Sequence, residues 1–187
     1  MPDHRGSTLL AIARATLERS LLARDGDVAI GTPVEAWLLD HGATFVSLHQ
    51  RTRLRGCVGS LEAMRPLHED VQRNALAAAF EDSRFPPVAA DELDGLSIEV
   101  TLLGARELLP CRSERDALAL LRPGIDGLLL SYGQRRATFL PQVWENLAEA
   151  PLFLAALKEK AGLDRDFWHP SIVLERYAAR SWSEPES

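Results

Sequence analysis

Two side chains that can do chemistry, Arg55 and Cys57, stand two residues apart in the run LRGCVG, residues 54–59. Alternation along a strand would place both on one face. A guanidinium beside a thiol favours the thiolate, the form that acts as a nucleophile or metal ligand. Cys57 is therefore a candidate nucleophile and Arg55 a candidate holder of an anion. The alternative is a cysteine buried in a core strand, since free cysteine is among the most buried residue types.

Two glycines in the same run, Gly56 and Gly59, have no Cβ atom. A ligand or another backbone segment can therefore approach closely, and both are candidate ligand-binding residues. No second ligand stands at zinc-like spacing from Cys57, so no metal site is predicted. The chain carries no Walker-type loop, no CxxC and no dinucleotide fingerprint, so the sequence names no cofactor.

A hairpin is predicted around the polar residues 50–53, because a β pattern precedes them and the LRGCVG run follows. A two- or four-residue loop would place Cys57 opposite Val46 and leave His49 on the other face. A three-residue loop would place Cys57 opposite Phe45 and bring His49 to the same side. The even loops are the more natural geometry, so His49 is not expected to act as a base for Cys57.

Periodicity predicts the elements that must position this hairpin. Apolar residues at helical spacing predict a first helix from Ser7, as N-cap, to Arg24, and a second over residues 66–82. Residues 96–103 alternate as a strand, with Glu99 on the polar side of the pattern. Packing accounts for the first helix, to which we assign no chemistry.

Three polar side chains near element ends are further candidates for ligand binding. Asp82 and Arg84 follow the second helix, just before two prolines that impose an extended exit. They would form a rigid ion pair or present a carboxylate and a guanidinium to a ligand; the alternative is a solvated helix end. Gln142 follows a second predicted hairpin, at a strand exit of the kind where sites often lie.

Composition restricts the class of protein. A length of 187 residues is most simply one globular domain, and a formal charge of −6 argues against general nucleic-acid binding. A local basic patch remains possible at Arg51, Arg53 and Arg55. Two cysteines, Cys57 and Cys111, cannot build a disulfide framework. The amino terminus lacks the apolar core of a signal peptide and no apolar run is long enough to cross a bilayer, so we expect a cytoplasmic protein that does not bind membranes.

The ordered blocks of this chain resemble the AMMECR-type domain, also called AmmeMemoRadiSam system protein A. The signature is residues 54–59, where Val58 replaces the more usual isoleucine. The resemblance extends from about Leu9 to Trp182 and includes further blocks: PLHEDV at 66–71, AFED at 79–82, RFPP at 84–87, PGIDGL at 123–128, FLPQVW at 139–144 and KAGL at 160–163.

The resemblance implies an α+β fold: a mainly antiparallel sheet with flanking helices, a smaller second lobe, and a cleft between the lobes that the signature lines. We therefore expect a single domain over residues 1–180, followed by a flexible tail at 181–187. Through the family blocks, Asp82, Arg84 and Gln142 become candidate neighbours of the signature.

The resemblance also implies partners, although it supplies no established reaction. Family members accompany a Memo-type protein, related to extradiol dioxygenases, and a radical-SAM protein. On this basis the chain is predicted to be a subunit or accessory enzyme of that pathway, with a site around Cys57 for an unidentified small-molecule ligand. The alternative is a non-catalytic protein- or ligand-binding module in which residues 54–59 are a structural cradle.

Overall fold

Helices and antiparallel strands are mixed along the chain, as the predicted α+β class requires. The computed structural model describes residues 4–22 and 35–185. Two 3₁₀ turns, Ala90–Gly95 and Pro141–Glu145, supplement the helices and strands. The helices are α1 (His4–Leu21), α2 (Ala36–Leu39), α3 (Leu67–Phe80), α4 (Glu114–Leu120) and α5 (Ala150–Lys160). The strands are β1 (His41–Gly42), β2 (Thr44–Gln50), β3 (Arg53–Gly59), β4 (Arg65–Pro66), β5 (Leu96–Leu103), β6 (Glu107–Leu108), β7 (Gly127–Tyr132), β8 (Arg135–Phe139), β9 (Val173–Tyr177) and β10 (Ala179–Ser183).

The chain divides into two compact units, which we call unit 1 (residues 1–103 and 180–187) and unit 2 (Gly104–Ala179). Unit 1 contains a four-stranded sheet in the order β10-β5-β2-β3. Strand β2 pairs antiparallel with both β3 and β5. Alternate residues of the sheet, such as Val46 and Ile98, are fully buried against the apolar faces of α1 and α3. The opposite face of the sheet carries polar residues such as Ser47 and Glu99.

Unit 2 has its own core around a second sheet, ordered β6-β9-β7-β8. Leu128, Leu130 and Leu174 are completely buried on one face of this sheet. The rings of Trp144 and Phe153 stack with centroids 3.8 Å apart and an interplanar angle of 2°. The indole N–H of Trp144 donates to the Asp126 carbonyl at 2.7 Å, which satisfies the polar atom of this buried side chain.

The first predicted helix is confirmed, although its start is not. The helix begins at His4, and Ser7 lies inside it, where its hydroxyl donates to the His4 carbonyl. Ser7 is therefore not the N-cap, because its side chain bonds backwards along the first turn. The predicted end at Arg24 lies outside the described residues.

The predicted flexible tail is wrong for residues 181–183, because they belong to strand β10. The hydroxyls of Ser181 and Thr101 lie 2.7 Å apart across β10 and β5. Just beyond the strand, the Glu184 carboxylate accepts hydrogen bonds from Arg14 in α1 and from the backbone N–H of Ile98. The composition of residues 181–187 could not predict these partners, because they lie far away along the chain.

Candidate functional site

The β2–β3 hairpin has a two-residue loop, one of the two even lengths that were predicted, but an irregular ladder. Gln50 pairs with Arg53, so the loop consists of residues 51 and 52. Leu54 then pairs with His49, and Gly56 pairs with Leu48, so Arg55 has no partner on β2. The hairpin therefore contains a β-bulge at Arg55, where one extra residue shifts the register of everything that follows.

This bulge overturns the predicted surroundings of Cys57. Cys57 lies opposite Ser47 instead of Val46, on the sheet face that points away from α3. His49 is two residues from Ser47 and lies on the same face of the sheet as Ser47 and Cys57. The prediction that His49 and Cys57 lie on different faces is therefore also wrong. Among the described residues no hydrogen bond joins His49 to Cys57. The hydroxyl of Ser47 instead donates to Cys57 Sγ, at 3.2 Å.

The backbone of Cys57 is held by the predicted pair Asp82 and Arg84. The Cys57 N–H donates to Asp82 Oδ2 at 2.8 Å, and Arg84 Nη2 donates to the Cys57 carbonyl at 3.3 Å. Strand β3 is at the edge of its sheet, so these groups would otherwise be left without a neighbouring strand. The two side chains thus replace, at one residue, the hydrogen bonds that another strand would make. We call this arrangement the edge clamp.

Electrostatics keep the edge clamp rigid. Arg84 donates to the Asp82 carboxylate from Nε at 2.9 Å and from Nη2 at 2.7 Å. The Asp82 side chain is only 7 % exposed, whereas that of Arg84 is 56 % exposed. The hydrogen bond from Arg84, aided by that from the Cys57 N–H, holds the pKa of Asp82 far below its ordinary value despite burial. Asp82 is therefore a permanently charged acceptor at neutral pH.

Arg55 is engaged by the segment that follows the edge clamp. Its guanidinium donates to both carboxylate oxygens of Glu92, at 2.8 and 2.9 Å. It also donates to the carbonyls of Pro86 and Pro87, at 2.8 and 3.3 Å. The Arg55 side chain is only 12 % exposed, and the hydrogen bond from Arg55 lowers the pKa of Glu92. The anion that Arg55 holds in this structure is thus Glu92; an external anion at Arg55 stays a prediction.

Both signature glycines are in close contact with other parts of unit 1. A Cβ atom at Gly56 would lie 2.1 Å from the Ala78 carbonyl oxygen of α3, and one at Gly59 would lie 2.3 Å from the ring of Phe45. The predicted approach of another backbone segment is therefore present at Gly56, whereas the neighbour of Gly59 is a side-chain ring. Ligand binding by Gly56 and Gly59 stays a prediction.

The remaining candidate, Gln142, belongs to unit 2, in the 3₁₀ turn Pro141–Glu145. The geometry of unit 1 therefore does not test its predicted role. Cys111 is also in unit 2, and partial burial raises the pKa of its thiol. This keeps Cys111 in the thiol form, in agreement with its having no assigned role.

Sequence reasoning missed two direct partners of the signature, Ser47 and Glu92. Ser47 is an ordinary polar residue of an alternating strand, and only the bulge brings it opposite Cys57. Glu92 is 37 positions from Arg55 in the sequence. Neither residue belongs to a sequence motif, so only the three-dimensional structure could identify Ser47 and Glu92 as partners of the signature.

A buried polar network, also missed, lies where the signature strand ends. Asp70, with no exposed surface, accepts from the backbone and hydroxyl of Thr44, from Ser60, from Arg65 and from Asn74, at 2.7 to 3.3 Å. These contacts join β2, the segment after β3 and the first turns of α3. Satisfied buried networks of this kind fix one arrangement of the chain, so the network makes the exit of the signature strand rigid.

Neither a metal-binding cluster nor a membrane span occurs in residues 4–22 and 35–185. No three His, Cys, Asp or Glu side chains in those ranges are grouped to hold a metal ion. No helix within the same ranges is both long and apolar enough to cross a bilayer.

Comparison with known proteins gives one family. Residues 10–182 match the family model described as AMMECR1. A protein of Methanothermobacter thermautotrophicus is 35 % identical over 181 residues, covering 96 % of this chain and 94 % of its own. Protein MJ0810 of Methanocaldococcus jannaschii is 34 % identical over 185 residues, covering 97 % and 90 %. The crystal structure of uncharacterized protein PH0010 from Pyrococcus horikoshii superposes with a TM-score of 0.89 at 29 % identity, covering 100 % of this chain and 94 % of that one. The blocks around Cys57 and the arrangement of helices and strands therefore agree with the comparisons: this chain belongs to the AMMECR1 family.

Proposed function

We propose that this domain is a non-catalytic binding module, in which residues 54–59 form a structural cradle. One observation carries the proposal: the polar groups of the signature are already bonded within unit 1. Arg55 binds Glu92 and two carbonyls, and the backbone of Cys57 is held by Asp82 and Arg84. Groups that are held in this way form a rigid surface, as a binding site requires.

We further propose that the partner is the Memo-type protein of the same organism, acting in a pathway with a radical-SAM protein. Support comes from membership of the AMMECR1 family and from the association of such domains with those two proteins. The thiols of Cys57 and Cys111 are unpaired, which fits a reducing, cytoplasmic compartment.

Binding of the Memo-type protein tests this role. Wild type and Cys57→Ser are expected to bind with the same affinity in isothermal titration calorimetry, because the substitution keeps the backbone cradle. Arg84→Ala is expected to weaken binding, because it releases the Cys57 carbonyl. Asp91→Asn, an exposed residue with no described hydrogen bond, serves as the control. No heat of binding for the wild-type protein, or an equal loss in Cys57→Ser and Arg84→Ala, would contradict the cradle.

A second candidate function is thiol chemistry at Cys57, and the Ser47 hydroxyl favours it. That hydroxyl, 3.2 Å from Sγ, is placed to donate to a thiolate. Cys57 is half-buried, so a small reagent reaches it only in part. The reactive-thiol hypothesis expects iodoacetamide to modify native Cys57 at neutral pH, more slowly in Ser47→Ala.

Cys111 provides the matched reference for that experiment, because burial raises the pKa of its thiol. Mass spectrometry of the alkylated protein assigns the modified cysteine, and Cys57→Ser identifies background labelling. Modification of Cys57 no faster than that of Cys111 would end the thiol hypothesis and leave the binding module.

A further inference from the structure

The segment that follows α3 runs along the outer edge of strand β3. Its first residues reach the backbone of Cys57, because Asp82 accepts from the Cys57 N–H and Arg84 donates to the Cys57 carbonyl. Its last residues are two prolines, whose carbonyls accept hydrogen bonds from the side chain of Arg55. Residues 82–87 therefore lie beside two positions of β3, an edge strand of its sheet. We call this segment the edge cover; the edge clamp is its first part.

The edge cover shields β3 without becoming a strand itself. Its hydrogen bonds to Arg55 and Cys57 all run through a side chain, and the sheet ends at β3, so the two backbones do not pair. Pro86 and Pro87 have no N–H group that could join a sheet. Native proteins often cover a sheet edge with a loop of this kind, because an open edge pairs with other chains.

The edge that lies beneath the cover is suited to pairing. Strand β3 is 7 residues long, and residues 56–59 at its end include neither a charged residue nor a proline. The Cys57 N–H bonds to Asp82 and not to β2, so the backbone groups of Cys57 point towards the edge. By alternation along an antiparallel ladder, those of Gly59 point the same way. A further strand would use the groups of these two residues.

We propose that the edge cover keeps β3 from pairing with a second copy of this chain. When the cover is released, two β3 strands join antiparallel, with Cys57 of each copy opposite Gly59 of the other. Both copies use the same edge, so the pairing is two-fold symmetric and closes as a dimer. This inference goes beyond the proposed binding role and needs no partner protein.

A double variant, Asp82→Ala with Arg84→Ala, tests the proposal in the full chain. It releases the cover at Cys57, where the pairing would occur, and leaves neither charge of the ion pair without its partner. Size-exclusion chromatography with light scattering is expected to give a mass that approaches twice that of wild type as the concentration rises. Hydrogen exchange of the Gly59 amide is expected to slow at least about tenfold as the dimer forms, because that amide becomes hydrogen-bonded.

Val71→Ala is the control for loss of stability alone. Val71 is fully buried in α3, so its truncation weakens unit 1 but keeps the edge cover, and the variant is expected to keep the wild-type mass. Arg84→Ala alone frees the Cys57 carbonyl and decides the matter if the double variant does not fold; it too is expected to dimerise.

Three results would overturn the proposal. They are a wild-type mass at every concentration for the variant that folds, equal association by Val71→Ala, and a dimer in which the Gly59 amide is not protected. Because no partner protein is used, such a failure leaves the result with the Memo-type protein unaffected.

Discussion

Substitution of Asp82 by asparagine tests the edge clamp most directly. The carboxylate accepts from the Cys57 N–H at 2.8 Å, from two guanidinium nitrogens of Arg84, and from the Arg84 backbone at 3.2 Å. An amide has a single oxygen, so whichever way it is oriented its NH₂ group faces N–H donors. Each carboxylate oxygen accepts one backbone N–H and one guanidinium N–H, so two hydrogen bonds are lost. The one from the backbone to the charged group is worth about 1.5–3 kcal/mol, and the one from the guanidinium belongs to the half-exposed ion pair, which adds no more than about 1 kcal/mol. We expect Asp82→Asn to lower the free energy of unfolding of this region by about 2–4 kcal/mol.

Native-state hydrogen exchange measures this loss where it occurs. Each unit has its own core, so one global transition would mix their stabilities. A loss of 2–4 kcal/mol corresponds to a roughly 30- to 700-fold faster exchange of the Cys57 amide. Amides in β7 of unit 2 serve as the internal reference and are expected to keep their rates.

A nearby carboxylate provides the control for Asp82→Asn. Asp91 is exposed and makes no described hydrogen bond, so Asp91→Asn is expected to change stability by less than about 0.5 kcal/mol. If the two variants gave the same exchange rate at Cys57, the edge clamp would contribute nothing and the reasoning would be refuted.

Three further predictions concern pH and packing. The pKa of Asp82 is lower in the folded state than in the unfolded state, so its stabilising effect is complete above the unfolded-state pKa and is lost as pH falls through the folded-state pKa. In urea titrations, the difference in unfolding free energy between wild type and Asp82→Asn should therefore shrink below about pH 4. Gly56→Ala forces β3 away from the Ala78 carbonyl and should cost at least about 2 kcal/mol; a urea midpoint like that of wild type would contradict the close contact. Burial raises the pKa of Tyr177 to about 12, above its unfolded value, so its contribution to stability is present at lower pH and lost between about pH 10 and 12. Tyr177→Phe should lack this alkaline loss and the late tyrosinate absorbance.

Local patterns in the sequence were sufficient to predict the hairpin but not its register. Alternating residues on both sides of 50–53 identified two strands and favoured an even loop, of two or four residues; the loop has two. A bulge adds one residue without any change in composition, so the run around Arg55 has the same pattern as a regular strand. Its presence depends on pairing with β2, and that pairing decides that Cys57 faces Ser47.

The ion pairs of the site differ in how far the sequence can predict them. Asp82 and Arg84 are two residues apart beside two prolines, so their pairing was one of the predicted alternatives, and the ion pair is present. Arg55 and Glu92 become neighbours only after α3 has returned the chain to β3. The sequence shows that Arg55 and Glu92 carry opposite charges, but only the fold determines that they pair with each other.

Strand β10 has a consequence for the order in which the chain can acquire its structure. Unit 2 is 76 residues long and extends from 104, just after β5, to 179, the first residue of β10. At roughly 5–20 residues per second, a ribosome takes about 4–15 s to make them, and during that time β5 has no neighbour on its outer side. Nascent unit 1 is therefore a sheet with an open edge, the kind of surface that attracts other chains. We expect messages truncated before Ala179 to yield aggregated product, and addition of a peptide covering residues 179–185 to reduce that aggregation.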